Sequence, residues 1–245
     1  MALYKTEAVV IGTRNWGDAD KMVTFFTLER GVVEAAAFGC RRPRSPLSGS
    51  MQLFTHLEVQ LLEGRRIDTV RHCLQLGHYK KLSEDLVAMA YGAFVAEFLR
   101  EFMPAGTPEP RAFQGLLEIL QAFEERHPRV TALAAVLQLM EFTGLQLRYE
   151  QCVHCGRAIE GDAAFSASEG GVLCKDCGQD VQMQPFSDEL RQLLLRLRDM
   201  DWQSAQGFTI SGRTLVQAES LILGYLQGML GRPLKSLEFI QQLDS

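Results

Sequence analysis

Met22-Val23-Thr24-Phe25-Phe26-Thr27-Leu28-Glu29-Arg30-Gly31-Val32-Val33-Glu34-Ala35-Ala36-Ala37-Phe38 holds two short apolar runs joined by a three-residue link that ends in glycine. Runs rich in Val, Thr and Phe read as strands, and Glu29-Arg30-Gly31 suits a hairpin because glycine takes the backbone conformations a tight connection needs. Similar runs flank it near Tyr4 to Ile11, Leu53 to Leu62 and Ile67 to Leu76, with Gly64-Arg65-Arg66 closing the last two. Five strands within residues 1–80 predict a small antiparallel barrel like an OB-fold.

From Ser83 the period changes. Leu86, Met89, Ala90, Ala93, Phe94, Glu97 and Phe98 follow the three-and-four spacing of a helix with one apolar stripe. Ser83 reads as its N-cap and Pro104 as its stop. A second helix is expected from Thr107-Pro108 to just before His127-Pro128, and a third from about Arg129 to Leu147. Residues 149–180 lose periodicity and gather glycine and cysteine, so they read as a knuckle inserted into the helical part. Ser187 then caps a helix through about Met200, and Ser211 caps another through Leu230, stopped by Gly231 and Pro233. The fold class is α+β with several domains: a barrel over 1–80, helices over 81–148, the knuckle over 149–180 and helices again over 181–245. No internal repeat or low-complexity tail is visible.

A chain of 245 residues with 47% apolar content can bury a substantial core. The opening Met1-Ala2-Leu3-Tyr4-Lys5 lacks a charged segment followed by an apolar one, so no secretory signal is expected. Leu86 to Leu99, the most apolar stretch, is shorter than the roughly 20 residues a bilayer span needs and contains Glu97. A cytoplasmic location follows, and in that reducing setting six cysteines point to metal rather than to disulfides. The net charge of -5 excludes nucleic-acid binding over the whole surface, but its distribution is uneven: residues 1–80 carry +3 and the remainder -8.

Cys152-Val-His-Cys155 and Cys174-Lys-Asp-Cys177 are two CxxC pairs with 18 residues between them, a spacing expected of a four-cysteine zinc ribbon. Each pair turns two thiolates toward one point, and two pairs complete a tetrahedron around one Zn2+. Four cysteines fill the coordination sphere and leave no place for an activated water, so the metal is read as structural. A thioredoxin-like redox pair accounts for neither the second CxxC nor its spacing. His154 reads as a surface residue, Cys73 as a small core residue, and Cys40 as partly exposed beside a basic loop.

That loop, Gly39-Cys40-Arg41-Arg42-Pro43-Arg44-Ser45-Pro46-Leu47-Ser48-Gly49, carries three arginines in four positions. A charged loop alone is usually a solvated surface. Between strands of an OB-like barrel it gains meaning, since such barrels bind single strands along one face and its loops, and the guanidinium fork suits phosphate. Arg14, Lys21, Arg65 and Arg66 fall in neighbouring strand ends or turns and join Arg41, Arg42 and Arg44 as candidate DNA-binding residues. Trp16 and Phe54 offer stacking faces, but aromatics in short strands serve the core more often, and neither is assigned that role. No GxxxxGK phosphate loop, HExxH, GxSxG or GxGxxG motif occurs, and acid pairs such as Asp18 with Asp20 or Glu124 with Glu125 read as solvated faces, so no enzyme is expected.

Thr6-Glu-Ala-Val-Val-Ile-Gly, Trp16-Gly-Asp-Ala-Asp-Lys-Met-Val-Thr-Phe-Phe-Thr, Arg30-Gly, Ala37-Phe-Gly-Cys-Arg-Arg-Pro-Arg, Leu53-Phe, the four-cysteine knuckle and Leu230-Gly-Arg-Pro-Leu-Lys-Ser occur in an order that resembles the bacterial recombination mediator family RecO, in its zinc-retaining members. The resemblance spans most of the chain. It implies an OB-fold, a helical domain and a zinc element acting in recombinational DNA repair through the RecF pathway. It further implies binding of single- and double-stranded DNA, strand annealing, and contacts with RecR, the single-strand DNA-binding protein and RecF. A zinc-ribbon adaptor that binds only proteins, and a thiol oxidoreductase using one CxxC pair, are the competing readings.

Overall fold

The computed structural model describes residues 2–179, 181–204 and 209–243. Residues 1, 180, 205–208 and 244–245 lie outside the described residues, and with them the outermost bounds expected for the barrel, the knuckle and the last helical part. Strands β1 (Leu3–Trp16), β2 (Asp20–Thr27), β3 (Gly31–Ala37), β4 (His56–Leu62) and β5 (Asp68–Gly77) close a barrel in the order β1-β2-β3-β5-β4. Every pairing is antiparallel except β3 with β5, which run parallel with Ala35 beside Asp68 and Ala36 beside Thr69. The long 38–55 connection allows that closure, because a parallel return needs a crossover that a hairpin cannot provide.

The barrel interior is filled by Ala8, Val10, Val23, Phe25, Ala35, Ala37, Leu57, Val59 and Leu61. Each such side chain contributes roughly 1.5–3 kcal/mol when fully buried, less for alanine. In β1 burial does not alternate: Ala8, Val9, Val10 and Ile11 are all inside, because the outer face is covered as well. Helix α2 (Leu86–Phe102) packs on β1, and Phe113 of α3 (Pro110–Glu125) meets the Phe26 ring at 6.0 Å. A bulge between Val10 and Gly12 frees the Ile11 carbonyl, and the Arg100 guanidinium of α2 donates to it. A Cβ on Gly12 would lie 2.9 Å from Arg100 Cδ, so glycine keeps this crossing close.

Two compact units result, Met1–Pro128 with Lys235–Ser245, and Arg129–Leu234. In the first, helix α1 (Lys80–Glu84) precedes α2, and the closing helix α7 (Lys235–Leu243) returns to pack on α2. Glu97 of α2 is only 2% exposed and accepts from the backbone N–H groups of Lys235 (2.9 Å) and Ser236 (2.8 Å). A carboxylate there satisfies two of the N–H groups a helix start leaves unpaired and faces the positive end of its dipole.

The second unit holds most of α4 (Pro128–Leu139), a three-stranded sheet of β6 (Ala163–Ser166), β7 (Gly171–Leu173) and β8 (Gln184–Phe186) in the order β7-β6-β8, and helices α5 (Asp188–Arg198) and α6 (Gly212–Leu230). Phe165 of β6 and Phe186 of β8 are buried and stack at 5.9 Å.

Several expected boundaries move. Asp85, not Ser83, caps α2: its carboxylate accepts from Val87 N and Ala88 N, while the Ser83 hydroxyl donates to the Lys80 carbonyl within α1. The backbone at Asp85 is extended, which separates the two helices and frees the α2 N–H groups for its side chain. The third expected helix stops at Leu139 rather than Leu147, passing through a 3-10 turn over Met140–Phe142 to Gly144, whose φ of 73° ends it. Strand β4 begins at His56 rather than Leu53, because Phe54 adopts a φ of 65° and turns into the core. The small sheet and α7 were not anticipated. By contrast Ser187 and Ser211 cap α5 and α6 by accepting from Leu190 N and Thr214 N, and Gly231 closes α6 with a φ of 69°.

Candidate nucleic-acid interface and metal centre

The arginine loop leaves β3 at Ala37 and is tied down along its length. Gly39 N donates to Asp20 Oδ1 at 2.6 Å, and Arg41 N to the Ala19 carbonyl at 2.9 Å. Successive turns then run from Arg42 to Met51, through Ser45 N to Arg42 O and Met51 N to Leu47 O. Cys40, Leu47 and Met51 are buried in the barrel core and act as anchors. Cys40 is therefore not partly exposed as expected, and burial pushes its thiol up. Pinned this way, the loop turns Arg41, Arg42 and Arg44 outward.

Arg14 is exposed on β1, paired with Met22 across the β1–β2 hairpin. Arg41 reaches the same hairpin, where Nη1 donates to the Gly17 carbonyl at 3.4 Å. Lys21 is half-buried, and its ammonium donates to the Met51 carbonyl at 2.9 Å, so it braces the loop from below. Arg65 and Arg66 are exposed in the β4–β5 turn. That turn sits by Leu3, paired with Leu62, at the opposite end of β1 from Trp16, paired with Asp20. The fold thus gathers Arg14, Lys21, Arg41, Arg42 and Arg44 and sets Arg65 and Arg66 apart.

Of the two aromatic residues, Phe54 follows the expectation of a core role and Trp16 departs from it. Phe54 is core, whereas Trp16 is 42% exposed and lies against Phe38, itself 53% exposed, with ring centroids 5.7 Å apart. Trp16 ends up outside because β1 leaves its partner β4 after Val9 and continues to Trp16 paired with β2 alone. Phe38 was overlooked, although it stands one residue beyond the strand and next to the arginines.

In the second unit the sulfurs of Cys152, Cys155, Cys174 and Cys177 all lie within 4.8 Å of one another, with Cys155 Sγ to Cys174 Sγ at 3.8 Å. Two knuckle turns bring them there: Gly156 N donates to Cys152 O, and Cys177 N and Gly178 N donate to Cys174 O. Gly156 takes a φ of 73°, which a side chain would oppose. Val153 N to Val172 O and the Arg157–Asp176 ion pair at 2.9 Å join the two halves. His154 points away and pairs with Glu169 at 2.9 Å.

Burial opposes ionisation of Cys152, but backbone hydrogen bonds from Cys155, Cys174 and His154 outweigh it and lower that thiol to about 6. Hydrogen bonding with Cys174, then burial and the other cysteines, pushes Cys177 up to about 12. Four thiolates this close repel one another without a cation, and a tetrahedral site with Zn–S of about 2.3 Å has sulfurs about 3.8 Å apart. The donor set therefore fits zinc.

Arg191 supports this segment from α5 and gave no signal in the sequence. Only 4% exposed, its guanidinium donates to the Tyr149 carbonyl (2.9 Å), the Gly161 carbonyl (2.6 Å) and Asp188 Oδ1 (2.7 Å). It fastens both flanks of the first knuckle to one helix.

An OB-like barrel bearing a braced arginine loop, continued by helices that carry a four-cysteine cluster, defines a modular α+β class of protein. The chain belongs to the RecO family: the family model described as Recombination protein O N terminal matches residues 1–79, and Recombination protein O C terminal matches residues 83–238. The DNA repair protein RecO of Symbiobacterium thermophilum is 34% identical over 251 residues, covering 100% of this chain and 99% of its own. That of Pelotomaculum thermopropionicum is 32% identical, covering 99% and 95%. Family membership supports a role in DNA repair and recombination. Among the described residues no helix is long and apolar enough to cross a membrane.

Proposed function

We propose that this protein is a non-enzymatic mediator of recombinational repair. It binds single- and double-stranded DNA, anneals complementary strands and helps load recombinase onto DNA coated by the single-strand DNA-binding protein. It acts with RecR and RecF in the RecF pathway, in the cytoplasm at the nucleoid. The observation that carries this reading is the arginine loop, whose three exposed guanidiniums stand on a backbone held by buried anchors, beside exposed Arg14.

Phosphates neutralised there release counterions, an attraction indifferent to sequence that holds one strand while another is brought alongside. Arg14, Arg41, Arg42 and Arg44 make the main contact, Lys21 adds positive potential while bracing the loop, and Arg65 with Arg66 form a second patch. No covalent step is involved. One zinc ion on Cys152, Cys155, Cys174 and Cys177 supplies a cross-link that holds the knuckle in shape.

A fluorescent single-stranded oligonucleotide titrated across a salt series tests the reading, alongside annealing of strands precoated with single-strand DNA-binding protein. Binding should fall steeply with salt. Converting Arg41, Arg42 and Arg44 to Ala should weaken it and flatten the logarithmic salt slope by about 2, given a loss of about 0.7 per phosphate contact. Unchanged affinity in that variant would remove the loop from the mechanism, and no binding even at low salt would favour the protein-only adaptor.

A further inference from the structure

We infer that Trp16 and Phe38 form a stacking shelf for unpaired bases, making this end of the barrel selective for single-stranded over duplex nucleic acid. The inference rests on the DNA-binding reading and adds strand preference to it. The two rings touch at 5.7 Å with planes 45° apart, yet each keeps about half of its surface in water. A single exposed aromatic is ordinary, but two in contact at the tip of a hairpin expose an apolar face that folding leaves uncovered.

The surroundings identify the occupant. Arg14 lies two residues from Trp16 on β1, and residues two apart share a face of a strand. Arg41 donates to the Gly17 carbonyl beside Trp16, and Arg42 and Arg44 follow on the loop that begins at Phe38. Of the nearby acids, Asp20 accepts from Gly39 N, which leaves exposed Asp18 against four arginines. Aromatic faces bordered by cations match a chain of flat bases on a phosphate backbone. A duplex stacks its bases internally and withholds those faces, so it can use the arginines but not the rings.

The test uses the full chain and the variants Trp16→Ala, Phe38→Ala and Trp16→Tyr, with thermal melting to confirm folding. Each is titrated with fluorescent oligothymidylate and with a blunt duplex of equal length. The alanine variants should lose about tenfold or more in affinity for the single strand. Duplex affinity and the salt slope should stay unchanged, and Trp16→Tyr should bind like the wild type because it keeps a stacking face. Equal losses on both probes would overturn strand selectivity. Undiminished single-strand affinity in both alanine variants would overturn the shelf and leave the DNA-binding reading standing. Failure of the wild-type protein to bind either probe would overturn both readings together.

Discussion

Gly31 shows how much one residue can carry. Its φ of 61° turns the β2–β3 hairpin, and a Cβ there would lie 2.1 Å from the Thr107 carbonyl oxygen, where the α2–α3 link passes. Gly31→Ala should therefore cost more than the about 1–3 kcal/mol of a left-handed non-glycine backbone, read as a lower midpoint in urea unfolding. Arg191 is the corresponding side chain in the second unit. Arg191→Met keeps the apolar stem but strands the carbonyls of Tyr149 and Gly161 without their donor, an expected loss of about 3 kcal/mol. Metal release from that variant should also be faster, followed with a chromogenic chelator. At Arg44 the φ of 69° has the opposite consequence: Arg44→Gly removes a charge while relieving the backbone, so DNA affinity should fall with no loss of stability.

Among the elements, α7 is held by chemistry that responds to pH. Burial of Glu97 opposes its charge, but hydrogen bonds from Ser236 and Lys235, with Arg100 nearby, outweigh burial and hold the carboxyl below the ordinary 4.5. A group lowered on folding stabilises the native state above its unfolded value, and that contribution disappears as pH falls through the folded value. Docking of α7 should thus be constant at neutral pH and weaken below about 4.5. Glu97→Gln should lose about 2 kcal/mol at neutral pH and show a flatter stability profile in acid. Parallel acid titrations of the two proteins by circular dichroism would reveal it. The knuckle is the second such element, since two short turns must present four sulfurs at once. Cys174→Ser should lose its zinc, measured by atomic emission, and retention of full metal content would contradict the assignment.

For the molecule as a whole, two compact units stabilised by different means should respond separately to metal removal. The barrel rests on an apolar interior, whereas the 149–179 segment has a small cluster around Cys152, Leu173 and Cys174. Chelation should accelerate amide hydrogen exchange across β6, β7 and the knuckle turns while barrel amides keep their protection. Uniform acceleration in both units would mean that the metal stabilises more than its own segment. Charge divides elsewhere: residues 1–80 carry +3 within a molecule of -5, so any nucleic-acid affinity has to come from local concentration of arginine.

Features that depend on near neighbours in the chain were legible from residue order. Strand and helix periods, the Ser187, Ser211 and Gly231 caps, the hairpin at Gly31 and the CxxC spacing are all local, so residue type and order suffice to read them. The arginine cluster was legible for the same reason. Which aromatics face water depends on the fold, because Trp16 is outside and Phe54 inside by virtue of where β1 extends and where the chain turns. The fold also determines that Lys21 braces Met51, that Arg65 and Arg66 stand apart from the loop, and that Glu97 and Arg191 serve as buried anchors. Each of these depends on partners between roughly 30 and 140 positions away, and a buried charge is stable only when such a partner is present. Burial and pairing at that range are properties of the folded chain, with no counterpart in local composition.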